Sequence, residues 1–324
     1  MRHANLVLIL VGTLLAGLGL GRSTAAAAQI SIFSGSSPVF APVFIADARG
    51  FFKEEKLDVS VRPFTSGAQA TEGFRSGAAQ FLVAGDVPML YLLPGGDVVL
   101  LAQFSANQDM LLIMGDKAMK SPADLKGKKI GLVRKSASEY LLHNYLKRGN
   151  LALEDVKLVN LAPFDQVPAL VRGDVEALST WKPFDKKIAG LSGDKFRIIS
   201  WNGQENYVLY SGIVAKRTFV AANQNDVLAV MRALKKASDW MTATDPKVVS
   251  EVLGKYLKTS PEDVAYVIKR NSWKMVDDPM FRGVMLDIER FLLAQDLIPK
   301  KVNWTEAKDL SFLRRLDPSL VKGE

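Results

Sequence analysis

Residues 121–139 read SPADLKGKKIGLVRKSASE, and this stretch indicates the class of fold. A serine, a proline and an acid open a short helix, and Gly127 ends it before an apolar strand at Ile130–Val133. Ser136 and Glu139 then have the S-x-x-E spacing of a capping box, which predicts another helix. Helix, strand and helix follow one another here, as they do in α/β proteins.

The same alternation extends in both directions from this stretch. Upstream, a strand from Ile30 leads through a Gly/Ser turn into an apolar helix that ends near Gly50, and the next strand alternates apolar and polar residues. Downstream, three more strands are predicted near residues 156–161, 175–180 and 196–200. Helices dominate the final third, and Asp245-Pro246 and Ser260-Pro261 are predicted to begin two of them. Alternating strands and helices predict mainly parallel sheets covered on both faces.

Two apolar stretches, Met110–Met114 and Val208–Val214, have the character of chain crossings between two lobes. If they run side by side, the middle segment is inserted into the first lobe. We then expect lobe 1 to contain residues 29–112 and 213–324, lobe 2 to contain residues 113–212, and a cleft to lie between them. The alternative, in which both stretches are core strands of one sheet, remains open from periodicity alone.

The first 28 residues have the features of a signal peptide. A basic start is followed by an uncharged, mainly apolar and glycine run at Leu6–Gly21, and Ala26–Ala28 supplies the small residues of a cleavage site. A permanent membrane anchor is the alternative, but 16 residues fall short of the roughly 20 that a spanning helix needs. We therefore expect residues 1–28 to be removed on export.

Composition excludes several classes of chemistry. The 324 residues are 48% hydrophobic and 23% charged, as in folded soluble proteins of about two domains. No cysteine is present, and export leaves His143 as the only histidine, so we expect no metal site and no cofactor. Loss of two arginines with the signal peptide lowers the net charge from +8 to +6, and no dense basic run suggests nucleic-acid binding.

Several segments, in order along the chain, match one known family. They are ADARGFF at 46–52, EEKLDV at 54–59, GDVP at 85–88, DLKGKKIG at 124–131, and GDVEA at 173–177 with Trp181 and Pro183-Phe184. Together they resemble the periplasmic solute-binding proteins of ABC importers for aliphatic sulfonates, taurine and nitrate, a family related to binders of thiamine-pyrimidine precursors. The resemblance implies a type II-like fold of two lobes joined by two hinge strands. It also implies a monomer that captures a small polar or anionic solute and delivers it to an inner-membrane ABC permease.

Strand-to-helix turns are the expected ligand contacts, because ligands of α/β sheets bind at the carboxyl ends of strands, where helix N-termini expose N–H groups. Turn chemistry, helix capping and packing are the structural alternatives at these positions. The candidates come from these turns, from the positions that match the family's ligand-contacting turn and its tryptophan, and from the position just ahead of the second crossing. They are Ser34, Gly35, Ser36, Ser66, Gly67, Gly85, Asp86, Val87, Ser136, Ala137, Ser138, Trp181 and Tyr207.

The chemical identity of the ligand remains open from sequence. The resembling family commonly has small or hydroxyl residues where this chain has Asp86 and Val87, and an acid where it has Lys182. Asp86 and Lys182 together would suit a zwitterion, whereas a thiamine precursor or an aromatic acid is also compatible with the turns. A periplasmic sensor would have the same fold. An enzyme is disfavoured, because His143 lies within a helix and no serine has an evident general base.

Overall fold

Two five-stranded sheets, each flanked by helices, form the framework of the protein, as a computed structural model describes it for residues 29–322. The predicted signal peptide lies outside the described residues. The strands are β1 Ile30–Gly35, β2 Val59–Phe64, β3 Phe81–Gly85, β4 Val98–Asn107, β5 Leu111–Asp116, β6 Lys129–Leu132, β7 Lys157–Asn160, β8 Ala177–Trp181, β9 Phe196–Trp201 and β10 Leu209–Lys216. The helices are α1 Ala41–Ala48, α2 Phe51–Glu54, α3 Gly67–Arg75, α4 Asp86–Leu90, α5 Ala137–Arg148, α6 Pro163–Arg172, α7 Phe184–Ser192, α8 Arg217–Ala222, α9 Gln224–Ala243, α10 Pro246–Leu257, α11 Pro261–Ile268, α12 Pro279–Ala294, α13 Trp304–Ala307 and α14 Ser311–Leu316.

Both sheets have the same topology. The first has the order β2-β1-β3-β10-β4 and the second β7-β6-β8-β5-β9. In each, one strand runs antiparallel to its two neighbours, β10 in the first sheet and β5 in the second, and the other pairs are parallel. The prediction of a two-lobed α/β fold with mainly parallel sheets is therefore confirmed.

The chain crosses between the sheets at residues 108–110 and 202–208. The antiparallel strand of each sheet begins directly after a crossing, so the predicted lobe borders at 112/113 and 212/213 fall inside β5 and β10. The crossings themselves are mainly polar, QDM at 108–110 and NGQENYV at 202–208, and the apolar residues belong to the strands that follow them. The hydrophobic pattern therefore placed the borders several residues too late. The two stretches expected to be the crossings are thus strands of separate sheets.

The buried side chain of Asn202 ties the two crossings together. Its carbonyl oxygen accepts hydrogen bonds from the backbone N–H groups of Met110 and Leu111, both at 3.0 Å. Its amide donates to the carbonyl oxygens of Asn107 at 2.8 Å and Tyr207 at 3.0 Å. All four partners are backbone groups at the junction of the lobes, so Asn202 holds the two crossings side by side.

Helix α5 of the second lobe packs against the first lobe on the crossing side of the molecule. The ring of Tyr140 lies 5.3 Å from that of Phe291 in α12 and 4.9 Å from that of Tyr207 in the second crossing. The side chains of Tyr140 and Tyr145 belong to the same buried cluster as the core of the first lobe. This packing fixes the axis of α5, whose N-terminus points into the space between the lobes.

Local capping signals correctly located several helix ends. Gly50 has a left-handed φ of 75° after the first helix, and Gly127 has a φ of 73° before β6, conformations that favour glycine. The side chains of Asp245 and Ser260 cap α10 and α11, each followed by proline at the first helical position. Across residues 29–322, none of the helices combines the length and apolar character required to cross a membrane.

Candidate functional site

A cavity lies between the lobes, at the edge where the parallel strands of both sheets end. Its volume is about 80 Å³, room for several water-sized groups at the 10–15 Å³ that one water requires. Lobe 1 contributes the turns after β1, β2 and β3 and the start of β10, and lobe 2 contributes the turn before α5, the end of β8 and the start of β5. Its lining consists of Gly35, Ser36, Ser37, Val39, Phe40, Thr65, Ser66, Gly67, Ala68, Gly85, Pro88, Met110, Leu111, Ser136, Ala137, Ser138, Trp181, Leu209 and Ser211.

The second lobe presents the N-terminus of α5 to this cavity. The Ser136 hydroxyl accepts a hydrogen bond from the Ser138 N–H at 3.2 Å and donates to the Val133 carbonyl at 2.7 Å. A capping box would have the Glu139 carboxylate accept a hydrogen bond from the Ser136 N–H. In the structure the carboxylate accepts from the N–H of Lys135, one residue earlier. The N–H groups of Ser136 and Ala137 thus find no acceptor among the described residues, and both residues line the cavity.

The first lobe presents the N-terminus of α3 in the same way. The Ser66 hydroxyl caps this helix by accepting from the Gln69 N–H at 3.2 Å. The N–H groups of Gly67 and Ala68 precede the first intrahelical hydrogen bond and have no acceptor within residues 29–322. Each lobe therefore offers two unpaired N–H groups and the positive end of a helix dipole to the same space.

Hydroxyl groups supplement these backbone donors. Ser211, on β10, is only 1% exposed, lines the cavity and makes no side-chain hydrogen bond within the described part of the chain. The buried Ser37 hydroxyl likewise has no partner there. Sequence analysis missed both residues. Ser37 belongs to the predicted Ser/Gly turn at 34–37 but was not among the candidate ligand contacts, whereas Ser211 lies in a strand interior and carries no local signal.

Nine of the thirteen predicted site residues line this one cavity: Gly35, Ser36, Ser66, Gly67, Gly85, Ser136, Ala137, Ser138 and Trp181. Four do not, namely Ser34, Asp86, Val87 and Tyr207. Ser34 and Val87 are fully buried in the first lobe. Ser34 lies in the buried strand β1, and Val87 lies in the first turn of α4, all of whose residues are buried.

Asp86 and Tyr207 bind each other beneath the cavity instead of facing a ligand. The Tyr207 hydroxyl donates to the Asp86 carboxylate at 2.7 Å, and the N–H groups of Val87 and Tyr210 donate to it at 2.7 and 3.0 Å. Burial raises the pKa of Asp86 to about 6, although these hydrogen bonds oppose the shift. The predicted ligand role of both residues is therefore replaced by a structural one.

Lys182, the other half of the predicted zwitterion site, also has a partner within the protein. Its ammonium group lies 2.8 Å from the carboxylate of Asp109, which is also 3.1 Å from the Arg270 guanidinium. Nearby, the Tyr266 hydroxyl of α11 donates to Asp185 of α7. We call Asp109, Lys182, Asp185, Tyr266 and Arg270 the interlobe clasp, because these side chains join helices and turns of the two lobes.

The mouth of the cleft carries more basic than acidic side chains. Two larger grooves open on either side of the cavity and share lining residues with it. Glu72 and Asp263 are the acids along them. The basic residues along them are Arg134, Lys135, Lys182, Lys187 and Lys258, of which Arg134 pairs with Glu139 and Lys182 with Asp109. An excess of positive charge at a cleft mouth attracts anions and raises their association rate.

Known structures share this architecture. The alkanesulfonate-binding protein SsuA of Xanthomonas axonopodis pv. citri, bound to MOPS, superposes with a TM-score of 0.75 at 21% identity, over 87% of this chain and 98% of that one. The desulfurization enzyme DszB superposes with a TM-score of 0.66 at 18% identity, over 90% and 99%. With two lobes and a cavity between them, the chain has the architecture of a periplasmic binding protein.

The family follows from sequence comparison. The model of the NMT1/THI5-like family matches residues 37–247, and the chain belongs to this family. The taurine-binding periplasmic protein of Escherichia coli is 32% identical over 174 residues, 53% of each chain. A protein of Brucella abortus named as a binding protein is 24% identical over 218 residues, and the match spans 66% of that relative's length. The family resemblance read from the sequence is thus confirmed.

Proposed function

We propose that this protein is an exported solute-binding protein, which captures a small organic anion between its lobes in the periplasm and delivers it to an inner-membrane ABC permease. One observation carries the proposal: unpaired N–H groups from two helices, one in each lobe, face a single cavity. Helix N-termini bind anions through such groups. A ligand that contacts both lobes favours the arrangement in which they are together.

Binding without chemistry is supported by the residues that line the cavity. Within residues 29–322, no histidine or carboxylate lines it, and acid-base catalysis requires such a group within hydrogen-bond reach. The ring of His143 packs 4.6 Å from that of Phe291, and burial lowers its pKa. Although the fold is shared with the enzyme DszB, these positions support reversible capture in this chain.

Sulfonates are the first ligands to test, because relatives carry names that specify them. Thermal-shift screening would compare alkanesulfonates, taurine, nitrate, a thiamine-pyrimidine precursor and an aromatic acid, since a ligand selective for the folded state raises the melting temperature. We expect an organic anion to give the largest shift. No shift from any anion would contradict the proposal.

A matched pair of serine variants then tests the location of binding. Ser211→Ala removes a cavity hydroxyl that has no hydrogen-bond partner among residues 29–322, and we expect the dissociation constant to rise about tenfold. Ser238→Ala removes another buried hydroxyl that has no partner in the described part of the chain, on α9 and away from the cavity, and should leave the affinity unchanged. Calorimetry that finds equal affinities for the two variants would remove Ser211 from the site.

A further inference from the structure

The cavity that the proposed function uses is neutral as well as donor-rich. Among the described residues, none of the side chains that line it is charged. Apolar walls make up much of the remaining surface, formed by Val39, Phe40, Leu111, Trp181 and Leu209. A ligand held here has an anionic group on the helix N-termini and the rest of its body against hydrocarbon.

Three acids adjoin the lining residues in sequence, and each one is already engaged. Asp86 accepts three hydrogen bonds beneath the cavity, and Asp109 lies between two cations of the interlobe clasp. Glu139 is 1% exposed and faces the guanidinium of Arg134 at 3.1 Å. None of these carboxylates lines the cavity, so the described residues offer no carboxylate among the side chains that would contact a ligand ammonium group.

The positive ends of two helices make the same space unfavourable for a cation. Both α3 and α5 direct their N-termini at the cavity, and a helix N-terminus carries about half a positive charge. The basic side chains at the cleft mouth add to this potential. A buried charge without a partner is strongly disfavoured, whereas an apolar group of the same size meets the hydrocarbon walls.

From these observations we infer that the ligand carries one anionic group on an apolar body and no cationic group, so that the site rejects zwitterions. This inference rests on the proposed function and makes it more specific. It replaces the zwitterion that Asp86 and Lys182 suggested at the level of sequence. It also predicts a ligand different from the one that the name of the taurine-binding relative specifies, because taurine carries an ammonium group.

Isosteric ligand pairs test the inference on the unmodified purified protein. Propane-1-sulfonate and taurine have the same heavy-atom skeleton and differ by a methyl in place of the ammonium. Butanoate and 3-aminopropanoate form the same pair with a carboxylate head. By isothermal calorimetry, we expect the apolar member of at least one pair to bind and its zwitterionic partner to bind about 100-fold more weakly.

The outcomes distinguish the inference from the function on which it rests. A zwitterion that binds as tightly as its isostere, or more tightly, in either series overturns the inference and leaves the capture of organic anions standing. If none of the four compounds binds and no anion of the thermal-shift screen binds either, the proposed function itself fails and takes the inference with it. If only another anion of that screen binds, the same calorimetric comparison is made between that anion and its ammonium-bearing isostere. Selective binding of an apolar anion supports both.

Discussion

Gly35 is the residue at which the two turns of the first lobe meet. A Cβ at this position would lie 2.7 Å from the Gly67 nitrogen and 2.9 Å from the Phe40 ring, closer than atoms can pack. The absence of a side chain therefore lets the turn after β1 lie directly against the start of α3. This close approach places the unpaired Gly67 N–H beside the cavity.

Gly35→Ala should therefore cost roughly 1–3 kcal/mol of unfolding free energy through overpacking, and should also weaken ligand binding. Gly67→Ala is the stability control, because a Cβ there would meet its nearest neighbour, Pro88, at an ordinary 3.7 Å. Urea denaturation of both variants measures the difference. Equal stabilities would show that the contact at Gly35 relaxes without cost.

Asp86 predicts a pH dependence of stability. Its pKa is about 6 in the folded protein and 3.8 as an ordinary carboxyl, because burial disfavours the charged form. Between these values the folded state holds a proton that the unfolded state has released. The stabilisation is complete below pH 4 and is lost as the pH rises to about 6, by roughly 3 kcal/mol in all.

The variant Asp86→Asn does not titrate, so the free-energy difference between wild type and variant should change through this window. Relative to the variant, wild type should become less stable between pH 4 and pH 7. Urea denaturation at four pH values in this range provides the measurement. A difference that stays constant with pH would mean that Asp86 keeps an ordinary pKa in the folded protein.

At the scale of elements, the interlobe clasp joins α7 of one lobe to α11 of the other. The Tyr266 hydroxyl donates to Asp185, while the ammonium groups of Lys182 and Lys186 lie 4.7 and 4.1 Å from the Tyr266 ring. These contacts exist only while the lobes are together. They therefore add to the free energy that favours the closed arrangement, independently of any ligand contact.

Tyr266→Phe should raise the dissociation constant of the ligand about tenfold, because the variant lacks a hydrogen bond to a carboxylate that the closed arrangement provides. Tyr256→Phe is a matched control, since the Tyr256 hydroxyl donates to Asp47 at 2.5 Å within the first lobe. Calorimetry should find its affinity unchanged. An equal loss of affinity in both variants would mean that the clasp does not contribute to closure.

The elements also show which structural information is local in the sequence. The caps at Ser136 and Ser260 and the glycine at Gly127 depend on a few neighbouring residues, so sequence reasoning located them. The partnership of Asp86 with Tyr207 joins residues 121 positions apart, and only the tertiary fold decides that they face each other. For this reason the turns of the site could be predicted, whereas the inward orientation of these two side chains could not.

On the scale of the whole molecule, the two lobes play equivalent parts. Each places the N-terminus of a helix at the same cavity, and Asn202 holds the crossings that connect them. The basic mouth and the neutral interior have separate roles in this arrangement. In the capture that we propose, the mouth attracts an anion at long range and uncharged donors hold it inside, where a fixed cation would be costly to desolvate.

A crystal structure of the protein with propane-1-sulfonate tests the central claim most directly. We expect the intact ligand in the cavity, with its sulfonate oxygens about 2.7–3.2 Å from N–H groups at the N-termini of both α3 and α5. Its propyl group should contact the apolar walls. A ligand bound to one lobe only, bound outside the cavity, or chemically altered would contradict the account.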